Sequence, residues 1–226
     1  MIPIRDINPS RTFPFVNYSI ILACVFFFIF ELVNFHSLKR IADNLGAIPV
    51  LYVSSEYHIS FVNKVMRLIT SLFLHGGIGH LVFNMWYLWI FGDNVEDKMG
   101  HIKYFLFYIF GGIFATFVHI FLHPHSTIPL IGASGAISAV MGAYLYYFPF
   151  ARIITIVPMF IFFFFWELPA FFFLIIWFMF QFFSGMLSFA LYSNVAFWAH
   201  IGGFLFGFSF AYVFSKKNNY DNTEII

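Results

Sequence analysis

Gly132-Ala133-Ser134-Gly135-Ala136-Ile137-Ser138-Ala139-Val140-Met141-Gly142-Ala143 sets a serine at the head of an apolar segment. Read as a helix, it carries Gly135, Ala139, Gly142 and Ala143 on one small face. A second segment answers it. Ala199-His200-Ile201-Gly202-Gly203 opens a run in which Gly203, Gly207 and Ala211 recur every four residues. Small faces of this kind let helix backbones approach closely in a membrane. Packing these two faces together would bring Ser134 and His200 within hydrogen-bond reach. Polar side chains at membrane depth are costly and usually functional.

The composition supports a membrane setting. The chain of 226 residues is 62% hydrophobic, 24% aromatic and only 9% charged. A soluble domain is about 45–50% apolar and about 25% charged. At about 20 apolar residues per crossing, the length allows several spans. A net charge of +1 gives no indication of nucleic-acid binding. The single Cys24 excludes an internal disulfide and reads as packing. The 38 phenylalanines read as lipid-facing surface. Residues 1–14 contain Arg5, Arg11 and three prolines and do not read as a cleavable signal peptide.

Apolar runs predict six spans near 15–33, 80–97, 103–122, 131–149, 168–186 and 196–214. The expected fold is all-α: a six-helix membrane core over 15–214, flanked by cytoplasmic tails at 1–14 and 215–226. The stretch 150–167 is apolar, but Pro158 and Pro169 bracket only a short run, so it reads as a connector at the membrane interface.

Lys/Arg bias sets the orientation. Arg5, Arg11, Lys98, Lys103, Arg152, Lys216 and Lys217 mark one side, and the loops 123–130 and 187–195 carry no Lys or Arg. Both termini are therefore expected in the cytoplasm. Lys39, Arg40, Lys64 and Arg67 in the long loop 34–79 dissent, which an interfacially embedded loop would explain. In this topology Ser134, His200, His80 and Asn84 all fall in the outer half of the membrane, near the starts of spans running the same way.

A serine hydroxyl becomes a nucleophile when a base takes its proton, and histidine suits that role near neutral pH. Acyl transfer then needs donors aimed at the oxyanion. His80 and Asn84, four residues apart, share one helix face and can both donate. The backbone N–H groups opening span four are further candidates. Each residue taken alone fits helix packing or capping; together they suggest catalysis. No acidic residue offers a third member: Asp93, Glu96 and Asp97 lie toward the inner end of span two, and Glu31 and Glu167 are poorly placed. The reading is a Ser–His dyad, with Glu96 a structural carboxylate tying helix ends to the loop near Lys98.

A metal site is the rival. His119, His123 and His125, with His75 and His80, could supply ligands. There is no His-Glu-x-x-His pattern and no carboxylate at that depth, so no metal and no cofactor are expected.

These motifs resemble those of the rhomboid family of intramembrane serine proteases, over roughly residues 60 to 213. Gly132-Ala133-Ser134-Gly135 resembles the nucleophile motif, Ala199-His200-Ile201-Gly202-Gly203 the base motif, and His80-Leu81-Val82-Phe83-Asn84 the oxyanion motif. Arg67 matches the arginine of a first-loop Trp-Arg pair, and Glu96 a structural glutamate. The resemblance implies cleavage of single-span transmembrane proteins near the outer membrane face, at a small residue beside an unstable helix. It implies a multi-pass protein of a bacterial inner membrane whose partners are the lipid bilayer and transmembrane substrates. Two positions depart: Met66 stands where the pair has Trp, and Ser138 where some members place a tyrosine against the base. What packs beside His200 is left open. The alternatives are an inactive rhomboid-like protein that escorts membrane clients, and a transporter, for which no clear inverted repeat is visible. Span five, rich in Phe and Trp with few small residues, is the expected movable wall for substrate entry.

Overall fold

The computed structural model describes residues 1–34, 38–159, 162–191 and 195–221. Among them, a strand β1 (Ile2–Asp6) precedes the long helix α1 (Phe15–Val33). The first loop holds three short helices, α2 (Leu38–Leu45), α3 (Val50–Val53) and α4 (Phe61–Thr70). Then come α5 (Ile78–Met99), α6 (His101–Leu122) and α7 (Ser134–Tyr147). A hairpin of β2 (Arg152–Met159) and β3 (Phe162–Pro169) leads into α8 (Ala170–Leu191) and α9 (Phe197–Asp221).

Among the described residues, helices α1, α5, α6, α7, α8 and α9 overlap the apolar segments expected from the sequence. Among the described residues four stretches, Phe15–Val33, His101–Leu122, Ala170–Ser188 and Phe197–Ser215, are long and apolar enough to cross a membrane. The other two differ for physical reasons. α5 carries Asp93, Glu96, Asp97 and Lys98 in its last turns, and α7 is only 14 residues long. α7 needs no lipid-facing surface, because every residue from Gly135 to Leu145 is buried.

Its neighbours explain that burial. A Cβ at Gly203 would overlap the Gly135 carbonyl, and one at Gly207 would overlap the Ala139 carbonyl. The pairs 135/203 and 139/207 advance together by four residues, so α7 and α9 run parallel with backbones in contact. α6 closes another side: a Cβ on Gly135 would lie 2.8 Å from that of Ala115.

The all-α expectation is corrected by a small antiparallel sheet in the order β1-β2-β3. The stretch expected to be an interfacial connector supplies its strands β2 and β3. Ile2 pairs with Ile156 and Asp6 with Ile153, while Arg152 pairs with Pro169. The reason is visible in β2, where Ile153 and Thr155 are buried and alternate with more exposed neighbours. That is the period of a half-buried, β-branched strand. Pro158 is tolerated because β1 pairing stops at Ile156, leaving the strand beyond it with one free edge. Residues 2–6 of the expected N-terminal tail are thus part of the fold.

Glu96 makes its contacts at the starts of α1 and α6. Its carboxylate is fully buried and caps α1, with Oε1 accepting from Val16 N at 2.9 Å and Oε2 from Asn17 N at 2.7 Å. An anion at a helix N-terminus meets unpaired N–H groups and the positive end of the helix dipole. His101 Nδ1 contacts the same carboxylate. Lys98 instead lies over the Tyr147 ring.

Candidate active site

Ser134 is the first residue of α7, and the chain reaches it along a supported edge. Ala47 and Leu130 exchange backbone hydrogen bonds of 3.0 and 2.8 Å, and Gly132 N donates to Ser71 O at 2.8 Å. Gly132 has φ +128°, a conformation that a residue with a Cβ rarely adopts. That Cβ would also lie 2.7 Å from His80 Nε2. The first loop supporting this edge is held in turn by Arg67, whose Nη1 donates to Asp43 O at 2.7 Å and Gly46 O at 3.0 Å.

His200 sits in the first turn of α9. Its Nε2 is 2.8 Å from Ser134 Oγ. Its Nδ1 is 2.8 Å from Oε1 of Gln181 on α8. Trp177 lies beside the ring, at a centroid distance of 6.3 Å, and Phe197 approaches it edge-on at 6.4 Å. The neighbour left open by the sequence is therefore the α8 pair Trp177 and Gln181. Ser138 turns to the backbone and donates to Ser134 O at 2.7 Å.

His80 and Asn84 line a cavity of about 500 Å³ together with Ser134, Gly132, Gly135 and His200. Asn84 is 7% exposed, and its Nδ2 is buried without a hydrogen-bond partner among the described residues. A buried amide donor left unpaired is costly, and this one borders the space next to the serine. His80 packs on Gly132 and its Nδ1 accepts from Gly76 N at 3.4 Å. Gly135 lines the cavity, Gly203 supports it through the α7–α9 contact, and Arg67 acts from the loop. Glu96 lies at the far end of α5.

None of the acidic residues considered from the sequence hydrogen-bonds His200 among the described residues. Glu31 Oε2 accepts from His75 N at 3.2 Å, Glu167 pairs with Arg152 at 3.0 Å, and Asp97 accepts from Thr12 N at 2.8 Å. His119 and His123 stack at 4.6 Å beside a neighbouring cavity of about 470 Å³. No group of three His, Cys, Asp or Glu among the described residues could hold a metal ion.

A further cavity of about 450 Å³ lies between α5, α7 and α8, lined by Phe83, Tyr87, Met141, Trp177 and Phe180 together with Ser134 and His200. Gln181 lines it too and was missed in the sequence reading. Its signal was present: it is the one amide in the apolar stretch 170–188, where a polar side chain needs a reason. The arrangement can move a proton from Oγ to Nε2 and offer donors to an anion formed beside the serine.

Residues 62–217, more than half of the chain, match the family model described as Rhomboid domain. The chain is 36% identical over 97 residues to the rhomboid protease GluP of Bacillus subtilis, covering 43% of this chain and 18% of that protein. It is 34% identical over 105 residues to the chloroplastic RHOMBOID-like protein 9 of Arabidopsis thaliana, covering 46% of this chain and 24% of the relative. Against RHOMBOID-like protein 1 of Arabidopsis thaliana it is 25% identical over 187 residues, 79% of this chain and 40% of that one. The chain thus spans about a fifth to two fifths of the length of these relatives.

Proposed function

The chain belongs to the rhomboid family, and from that premise we propose that it is an intramembrane serine endopeptidase acting through Ser134 and His200. The observation that carries this reading is the 2.8 Å approach of Ser134 Oγ to His200 Nε2 at the edge of a cavity containing an unpartnered amide donor. Apolar helices and family membership make it an integral membrane protein. All six long helices cross the bilayer, both termini are cytoplasmic, and the membrane is a bacterial inner membrane. α7 crosses as a helix shielded by the others, while α5 presents exposed apolar residues such as Phe83 and Trp89.

The chemistry follows from the geometry. His200 Nε2 takes the Ser134 proton as Oγ bonds to the scissile carbonyl carbon of a single-span transmembrane substrate. Negative charge moves onto the carbonyl oxygen, where Asn84 Nδ2, His80 and the backbone N–H groups opening α7 donate to it. Collapse breaks the C–N bond, and the proton on Nε2 passes to the leaving amine. Water then attacks the acyl carbon, giving a proton to Nε2, and the acyl C–O bond breaks as Nε2 returns that proton to Oγ, releasing the acid and regenerating Ser134. By the family resemblance the substrate carries a small residue before the cut.

A fluorophosphonate probe on the purified protein tests the reading. Labelling of the wild type that disappears in Ser134→Ala is expected. A wild type that resists labelling, as an inactive client-binding relative would, refutes it.

A further inference from the structure

We propose that Gln181 is a positioning residue that holds His200 in the tautomer able to accept the serine proton. This inference rests on the reading of Ser134 and His200 as nucleophile and base. His200 is bracketed on its two nitrogens, by Ser134 Oγ at Nε2 and by Gln181 Oε1 at Nδ1, each at 2.8 Å. A carbonyl oxygen only accepts, so the hydrogen lies on Nδ1. A neutral imidazole carries one hydrogen, and Nε2 is then the free lone pair facing the serine hydroxyl. With the hydrogen on Nε2 instead, the ring would donate to Ser134 and could not take its proton.

Gln181 is fixed for this work. It is 7% exposed, and it sits one helical turn from Trp177, which packs beside the same imidazole. The amide fills the place that a carboxylate takes in a serine triad. It does so as a neutral group, which avoids burying an unpaired charge among the aromatic side chains of α8. The difference has a consequence. An amide oxygen orients the ring, but it stabilises the imidazolium formed during reaction less than a carboxylate would. The other titratable groups acting on His200 among the described residues are His80 of α5 and His119 of α6, neither of them acidic. Because Gln181 is on α8 and His200 on α9, a substrate that displaces α8 must leave this hydrogen bond intact or remake it.

Fluorophosphonate labelling rate against pH, with kcat and KM for a transmembrane substrate, tests the role. Gln181→Met and Gln181→Leu keep an apolar volume and remove the acceptor. Each is expected to lower kcat and the labelling rate about 10- to 100-fold, as for one hydrogen bond to a group that becomes charged, with KM unchanged. Gln181→Glu restores the acceptor. Its labelling recovers, and the rising limb of its pH profile moves to higher pH because a carboxylate favours the protonated ring. A folded Gln181→Met protein labelled at the wild-type rate overturns the proposal, as does a Gln181→Glu profile superimposable on wild type. Should Gln181→Leu fail to fold, the closely matched Met variant and the Glu profile still decide. An unlabelled wild type, or label that persists in Ser134→Ala, instead removes the dyad on which the proposal rests.

Discussion

Gly203 and Gly135 meet backbone to backbone: a Cβ on Gly203 would overlap the Gly135 carbonyl. This contact sets how closely α9 approaches α7, and hence where His200, three residues before Gly203, stands relative to Ser134, one residue before Gly135. Gly203→Ala should push the two helices apart. The expected result is destabilisation of about 1–3 kcal/mol, as for other overpacked interiors, together with slower fluorophosphonate labelling. Gly79→Ala is the control, since a Cβ there meets nothing within 4 Å. Equal thermal stability and labelling in both variants would remove the spacing role.

Ser134→Ala and His200→Ala should each abolish cleavage of a transmembrane substrate while leaving the fold intact. Nucleophile and base act as a unit, so losing either removes nearly all the rate.

Asn84→Ala should behave differently. Its unpaired Nδ2 gains a partner only when an oxyanion forms, so its loss is expected to lower kcat by about 10²- to 10³-fold and to leave KM nearly unchanged. Removing an unsatisfied buried donor should not reduce stability. A clear fall in melting temperature with normal turnover would mean that Asn84 serves packing instead.

The parts legible in the sequence were those with a strong local period. Six apolar runs marked the long helices, and the repeats of small residues at 135, 139, 203 and 207 marked the faces where α7 and α9 meet. The sheet was not legible, because its decisive partner is distant. Residues 150–167 are apolar enough to suit several structures, and pairing of Ile153–Ile156 with residues 2–6 selects a strand. Glu96 was recognised as structural, but its target, the start of α1, lies some eighty residues upstream. Gln181 stood out as the one amide in 170–188, but nothing in the sequence named what it binds. Its partner on α9 becomes evident only once the two helices are packed.

Asp6 offers a pH-dependent test of the sheet. Burial pushes its carboxyl up from the ordinary 3.8 to about 7, with Asp93 adding to the rise and the Tyr144 hydroxyl opposing it. Its Oδ2 accepts from Tyr144 Oη at 2.7 Å and from Asn94 Nδ2 at 2.9 Å. The folded protein therefore keeps this proton to higher pH than the unfolded chain does. Between about 4 and about 7 it binds more protons, so this group's contribution to stability falls as pH rises and is lowest above 7. Asp6→Asn presents similar hydrogen-bonding groups without the charge. In detergent, the wild-type melting temperature should drop more between pH 5 and pH 8 than that of Asp6→Asn. Parallel pH profiles would show that Asp6 ionises normally in the folded state.

The last prediction concerns how a substrate helix reaches Ser134. α5 and α8 touch where Phe91 and Phe173 stack at 6.2 Å. Further along, the cavity lined by Phe83, Tyr87, Trp177 and Phe180 separates them and borders both Ser134 and His200. α7 and α9 cannot part in the same way, because their contact is backbone on backbone. Bulky side chains keep α8 further from its neighbours and leave it fewer close backbone contacts to lose. A transmembrane substrate is therefore expected to enter between α5 and α8. Phe83→Cys with Phe180→Cys in a Cys24→Ala background, joined by a short bismaleimide, should block cleavage of a transmembrane substrate. Labelling by the small fluorophosphonate should persist, since the larger cavity at Ser134 is lined mainly by other residues. Phe178→Ala removes a ring packed 5.0 Å from Phe204 of α9 and should loosen α8, raising the cleavage rate severalfold. Trp177 is the wrong site for that test because it also packs beside His200. A cross-linked protein that cleaves at the uncross-linked rate would mean that substrates enter elsewhere.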